Sequence, residues 1–359
     1  MKNIFVSGSA AYDEIMDFPH HFKDYFHPEK LHQINVSFSV DSLAKHLGGC
    51  ATNIVYALKN TRDYYKESHV IASEAKQSHI NVIARNTVTK QSSHDDAFSI
   101  YPVAAVGRDG GELVEFFRKN NIDTTFVQQD KKLYTATGKV ITDKNDNQIW
   151  GFYYGACALN PKLGATPHTL PPTPSSDFWI ISATHERPFT TTLRYVIKNK
   201  LPYLFDPGMT LTWIRDDLLR KGVMHATYIV GNDYEIAMIE KRLKMTVKEI
   251  VESGVGVITT FGKKGVRIQL RPAETSLNQL KPAEQIFIKA IKLKKVVDPT
   301  GAGDAWRGGF VGALAAGKSI RECLVMGNVM ASFAVQTVGT VEYQVTKSEI
   351  EKRVKALTK

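Results

Sequence analysis

Between Asp298 and Asp304 the chain reads DPTGAGD, seven residues with the types and spacing of an anion site that has a base beside it. Gly301, Ala302 and Gly303 turn tightly enough to aim successive backbone N–H groups at one point, at the positive end of the helix that follows. Asp304 falls in the first turn of that helix. There it can accept a proton from an attacking hydroxyl while the cradle holds charge developing on a transferred phosphoryl group. The plain structural use of a carboxylate at this position is an N-cap.

Two other phosphate sites are spelled in the same stretch, and both fail on context. Residues 312–319, GALAAGKS, match G-x-x-x-x-G-K-[ST] letter for letter. That loop must follow a buried strand directly, and here a small-residue helix, AWRGGFVGALAA, precedes it. Gly317 reads instead as a helix C-cap, with Lys318-Ser319 opening the next helix. A dinucleotide fingerprint needs a third glycine where Trp306 stands, and it leaves Asp304 where a pyrophosphate would sit.

The elements that position these residues follow from the apolar runs. Residues 3–7 form a buried strand ending at Gly8, and alternation at Ile34, Val36, Phe38 and Val40 predicts a half-exposed strand. GGCATNIVYALKN is a Gly-Gly turn into a helix, YPVAAVG a buried strand, and KLYTATGKVITDKNDNQIWGFYYGA a hairpin around KNDN. DFWIISA, PYLFD, ATYIVG and VGVITTFG then alternate with helical stretches such as FTTTLRYVIKNK and NDYEIAMIEKRL. IKLKKVVD reads as a strand delivering the chain to Pro299, before helices at about 304–316, from Ser319, and at the charged C-terminus. Such alternation predicts a doubly wound, mostly parallel α/β sheet with helices on both faces, plus a small antiparallel element. Residues 67–98 carry a short imperfect repeat, VIASEAKQS and VIARNTVTKQS, and predict an inserted, partly disordered surface loop.

Composition narrows the class. With 359 residues and 43% hydrophobic content the chain can bury a large core. The net charge of +10 comes from scattered Lys and Arg, mildly concentrated at 281–295 and 352–359 and not interleaved with aromatics, which argues against a nucleic-acid partner. Cys50, Cys157 and Cys323 make no CxxC pair, so neither a zinc site nor a disulfide framework is indicated and a reducing cytoplasm fits. No segment reaches ~18 uncharged apolar residues, so no membrane partner is expected.

DPTGAGDAWRGGF resembles the C-terminal signature of the ribokinase-like (PfkB) carbohydrate kinase family, and other segments fall in that family's order. GSAAYD at 8–13 is similar to the segment whose aspartate, here Asp13, holds substrate hydroxyls. LGGCATNIVYAL at 47–58 resembles the Gly-Gly signature, which implies substrate contacts from Gly48, Gly49 and Asn53. Asn232-Asp233-Tyr234-Glu235 resembles the N-x-x-E motif linked to phosphate and Mg²⁺, with Glu235 acting on the metal through water. TFGKKG at 260–265 resembles the nucleotide loop, implying Thr260, Gly262 and Gly265 at the donor nucleotide, with Asn328 near its adenine.

The resemblance covers nearly the whole chain except 67–98 and implies one kinase domain, with lid segments at about 12–42 and 124–156. It implies ATP and Mg²⁺ as cofactors, with room for a monovalent cation such as K⁺. INVSFSVDSLAKHLGGCATN, DNQIWGFYYGA, the DPG at 206–208 and TVGT at 337–340 resemble the bacterial and archaeal adenosine kinase-like branch. Two stretches depart from it. Met209-Thr210 stands where Gln often follows the DP turn, and Phe152-Tyr153-Tyr154-Gly155-Ala156 where F-x-P-G-A is common. The implied reaction is phosphorylation of the primary 5′ hydroxyl of a ribonucleoside, adenosine to AMP, with a ribokinase- or fructokinase-type sugar kinase as the alternative. Arg307 either faces phosphate or is solvated or paired. The expected partner is the small-molecule substrate, in a monomer or in a homodimer formed through the lid.

Overall fold

Short β-branched and aromatic runs, each closed by glycine or a polar turn, become strands, because such side chains pack well on a pleated surface. The computed structural model describes residues 1–26, 36–80, 98–145, 147–163, 176–271 and 284–358, with backbone alone over 69–80. In chain order the strands are β1 (Asn3–Ser7), β2 (Ala11–Asp17), β3 (Ser42–Gly48), β4 (Ser99–Val106), β5 (Val127–Gln129), β6 (Ala136–Thr142) and β7 (Gln148–Tyr153). They continue with β8 (Asp177–Ile181), β9 (Tyr203–Phe205), β10 (Tyr228–Asn232), β11 (Gly256–Thr260), β12 (Gly265–Leu270) and β13 (Glu284–Lys289). The helices are α1 (Cys50–Ile80), α2 (Gly111–Lys119), α3 (Glu186–Lys198), α4 (Asp216–Met224), α5 (Asp233–Leu243), α6 (Val247–Glu252), α7 (Ala302–Ala315), α8 (Ile320–Ala334) and α9 (Lys347–Thr358).

Among the described residues, nine strands form one sheet in the order β13-β12-β11-β10-β9-β8-β1-β4-β5. Pairing is parallel from β5 through to β11 and antiparallel for β12 and β13 at one edge. Two apolar cores cover its faces. One joins Ile4, Val6 and Ile180 to Ile54, Leu58, Phe310 and Val329. The other joins Trp179, Ile181 and Phe205 to Phe189, Leu193, Leu219 and Ile239. Strand order reverses direction at β1, and in such sheets ligands bind outside the carboxyl ends at the reversal.

A second sheet, β3-β2-β6-β7, stands beside those carboxyl ends. Its register sets Asp13 opposite His46 on one side and Gly138 on the other, with Phe152 next in line. The sheet therefore presents Asp13 and Phe152 on one face.

The glycines of α7 fix how closely its neighbours approach. A Cβ on Gly308 would lie 2.5 Å from Ala57 Cβ and 2.7 Å from Ile54 O, and one on Gly309 would lie 2.7 Å from Met326 O. Backbone contact at these points locks α1 and α8 against α7.

The helix-end reading of GKS holds. Gly317 (φ 72°) receives the end of α7, with its N–H on Leu314 O and that of Lys318 on Ala313 O. Ser319 and Glu322 form a capping box on α8. Trp306, where a fingerprint would need glycine, is buried, stacks on Phe310 at 5.1 Å and donates to Asn328 Oδ1.

Four expectations are corrected. IKLKKVVD is not a strand: β13 ends at Lys289, Val296 and Val297 are exposed, and Val297 N–H bonds Val335 O at the end of α8, so no strand partner is available. The strand expected around Ile34 to Val40 begins later, as β3 at Ser42; residues 27–35 lie outside the described residues. The loop expected at 67–98 is helical up to Ile80, the continuation of α1, and 81–97 lie outside the described residues. Of the segment 124–156, Val127–Gln129 pairs with β4 in the large sheet and takes no part in the small one.

Candidate active site

Four separate parts of the chain bring Asp13, Asn53, Asp206 and Asp304 together outside the large sheet: β2, α1, the turn after β9, and α7. Gly301 caps α7 with a left-handed φ of 75°. The N–H groups of Gly301 and Gly303 have no hydrogen-bond partner among the described residues, whereas that of Ala302 turns back to Pro299 O at 3.3 Å. Two free donors at the positive end of a 14-residue helix can receive an anion.

Asp304 Oδ2 accepts from Asn53 Nδ2 at 2.9 Å, and its Oδ1 stands 3.7 Å from Arg307 Nη1. Asn53 is itself held, because Thr340 Oγ1 donates to its Oδ1 at 2.6 Å and leaves the amide N–H₂ facing the carboxylate. Burial pushes the Asp304 carboxyl up to about 6; Arg307 and the Asn53 bond pull it down, and Asp206 and Asp13 push it further up. Such a group is ionised at neutral pH and is a stronger base than a free carboxylate.

Asp13 is pushed up to about 6 as well, by burial first, with His46 lowering it and Glu342 and Asp298 raising it. His46 Nδ1 lies 3.0 Å from Glu342 Oε1. Gly48 leaves the space that the Asp13 carboxylate fills, since a Cβ there would collide with Asp13 Oδ2. Gly49 (φ 87°) lets the chain pass Ser9, whose carbonyl a Cβ would approach to 2.5 Å, so that Ser9 O and Oγ accept from Ala51 and Cys50 N–H at the start of α1.

Residues 97–347 match the pfkB family of carbohydrate kinases. The chain belongs to that family. It is 25% identical to the nucleoside kinase of Methanocaldococcus jannaschii over 343 residues, 94% of this chain and 92% of that protein. Against the nucleoside kinase of Methanothermobacter thermautotrophicus it is 31% identical over 250 residues, 66% of this chain and 73% of the relative. The solved nucleoside kinase of Burkholderia thailandensis in complex with inosine superposes with a TM-score of 0.74 at 23% identity, covering 99% of this chain and 97% of that one. The ADP-inosine complex of the same protein superposes at 0.70.

In this pfkB kinase the residues expected on the nucleotide side lie at the next carboxyl ends. Asn232 and Thr260 end β10 and β11 and are cross-strand neighbours. Asn232 Oδ1 accepts from Glu235 N–H, and Glu235 Oε2 from Asn232 N–H, both at 2.8 Å, a capping box on α5. Gly262 and Gly265, at φ 53° and 126°, shape the turn into β12. Asn328 spends its polar atoms inside the protein: Oδ1 accepts from Trp306 Nε1, and Nδ2 donates to Lys289 O at 2.9 Å, tying α8 to α7 and to β13. Among the described residues no three His, Cys, Asp or Glu side chains gather to cage a metal, and no helix is long and apolar enough to cross a membrane.

Several residues around the candidate site were not assigned from sequence. Thr340 belongs to TVGT, a stretch read only for its resemblance, and its role appears when α1 and the C-terminal segment meet. Trp150 and Phe152 lie in the hairpin, where alternation located the strand without saying which face would meet Asp13. Arg307 is paired, with Asp206.

Proposed function

We propose that this kinase transfers the γ-phosphoryl group of ATP to the primary 5′ hydroxyl of a ribonucleoside, with adenosine as its main substrate. The observation that carries the nucleoside assignment is an aromatic wall beside a carboxylate. Trp150 and Phe152 are 51% and 47% exposed, and a Cβ on Gly138 would lie 3.1 Å from Trp150 Cζ3, 3.5 Å from Phe152 Cδ2 and 3.1 Å from Asp13 Oδ1. Tyr154 continues the wall, 4.8 Å from the Phe152 ring and 5.0 Å from that of His185. Rings left in water beside a hydroxyl-binding acid match a ligand with a sugar at one end and a flat base at the other. The nucleoside kinases among its relatives support the same reading.

Asp13 accepts hydrogen bonds from the ribose hydroxyls, since an ionised carboxylate takes two O–H donors at once. Gly48, Gly49 and Asn53 keep Asp13 and the head of α1 in place around the sugar. Asp304, oriented by Asn53, takes the 5′ O–H proton as the oxygen attacks phosphorus. The N–H groups of Gly301 and Gly303, with the turn at Ala302, hold the charge on the transferring phosphoryl oxygens. Asn232, Thr260, Gly262 and Gly265 line the donor nucleotide, and Asn328 braces the wall behind it.

Magnesium fits this arrangement as an ion carried on the nucleotide phosphates. It is commonly held by one or two carboxylates and phosphate oxygens rather than by a protein cage. Glu235 Oε1 makes no hydrogen bond among the described residues and would order one of the ion's waters. The ion supplies charge neutralisation on the phosphates. The small sheet acts as the lid that keeps water from the transfer.

A coupled ADP-release screen over adenosine, inosine, other nucleosides, ribose, fructose and fructose 6-phosphate tests the assignment. Adenosine is expected to give the highest kcat/KM. A sugar ahead of every nucleoside would overturn the nucleoside reading.

A further inference from the structure

One buried cation lies among the acids at the head of α7. Asp206, 3% exposed, accepts from Arg307 Nη2 on Oδ1 at 2.6 Å and from Ser182 Oγ on Oδ2 at 2.6 Å. Nη1 of the same guanidinium is 3.7 Å from Asp304 Oδ1, near enough to act through charge and too far for a hydrogen bond. Arg307 Nε is buried with no partner among the described residues. Gly303 makes this seat possible, because a Cβ there would lie 2.6 Å from Arg307 Nη1. The guanidinium thus rests against the anion cradle, hydrogen-bonded to Asp206 and paired with Asp304 through charge alone.

We propose that Asp206, clamped by Ser182, is a positioning residue for phosphoryl transfer: it anchors Arg307 against Gly303 and so keeps Arg307 at 3.7 Å from Asp304, short of hydrogen-bonded contact with it. This rests on the reading of Asp304 as the base. A buried guanidinium deprived of its carboxylate takes the next available anion, and Asp304 Oδ1 already stands 3.7 Å from Nη1. An Asp304 so paired would be a weaker base with one oxygen covered.

The other groups facing Asp304 are Asn53 and Cys50 from α1, Asp13 from β2 and Tyr343 before α9. Cys50 also faces Arg307, but burial, reinforced by Asp304 and Asp206, drives its thiol well above the usual range, so it stays neutral and does not compete for the cation.

The test is the pH profile of kcat/KM for wild type, Asp206→Asn and Arg307→Met. Asp206→Asn should move the acid limb down by about one pH unit, because Arg307 turns fully to Asp304 and a neighbouring negative charge is lost. Arg307→Met should move it up by about one unit, because burial of Asp304 is then unopposed. Opposite shifts support the proposal; superimposable profiles, or shifts of the same sign, overturn it. If Arg307→Met does not fold, Ser182→Ala, which loosens Asp206 without changing any charge, decides instead, a downward shift supporting and any other result overturning. Asp304→Asn in the same series separates the two claims. Retained turnover there defeats the base assignment, whereas an inactive Asp304→Asn with unshifted Asp206→Asn defeats only the role of Asp206.

Discussion

Asn53 Nδ2 donates to Asp304 Oδ2 at 2.9 Å across a separation of 251 positions in the chain. The bond joins the first turn of α1 to the first turn of α7, so the proposed base is oriented by a helix that also carries the Gly-Gly turn beside Asp13. Asn53→Ala should lower kcat/KM by ~10- to 100-fold, the loss expected for one hydrogen bond to a charged group. Thr340→Val, which frees the Asn53 amide to rotate, should cost less. Steady-state kinetics on the two variants checks both the size and the ranking.

The same helix contact carries a stability prediction. Gly308→Ala places a methyl against Ala57 and the Ile54 carbonyl, backbone that cannot yield without moving α1. Overpacking of this kind costs about 1–3 kcal/mol. Chemical denaturation should give a lower midpoint with an unchanged m-value.

Asp13 and Asp304 make stability depend on pH in a stated direction. Both have folded values near 6 against an unfolded 3.8. The folded state therefore binds more protons between about pH 4 and 6, and stability falls as pH rises through that window. Asn at either position removes the penalty. The stability advantage of Asp13→Asn or Asp304→Asn over wild type, read as a gap in Tm, should be near zero at pH 4 and reach full size above about pH 6, on the order of 1–3 kcal/mol. Thermal melts from pH 4 to 8 check the trend, and a gap that shrinks with rising pH contradicts it.

Phe152→Ala should raise KM for a nucleoside ~10-fold or more and leave kcat within a few-fold, because stacking on the base is made before and during transfer alike. Any residual turnover of ribose should be unchanged, since a free sugar has no base to stack. Parallel kinetics on adenosine and ribose gives both numbers.

What could be read from sequence was local, and what could not was pairing. DPTGAGD declares a turn into a helix because its glycines, its aspartates and the small residues after it all act within one or two turns of chain. GKS was legible as a helix end for the same reason. IKLKKVVD has strand composition, yet its backbone bonds go to the end of α8, and strand propensity does not reveal whether a neighbouring strand exists. The SEAKQS stretch is polar and lacks periodicity, but Glu, Ala, Lys and Gln are good helix formers, and α1 continues through it. At the candidate site, the place of Asp304 in the first turn of α7 was legible; the bonds from Thr340 to Asn53 and from Arg307 to Asp206 depend on how distant segments dock.

The central claim is that Asp304 is the base, and Asp304→Asn tests it most directly, because the substitution keeps size and removes the charge. Turnover by ADP release should fall by at least ~10³-fold, while calorimetric Kd values for nucleoside and nucleotide stay within a few-fold of wild type. Wild-type-like turnover in the folded variant would contradict the account.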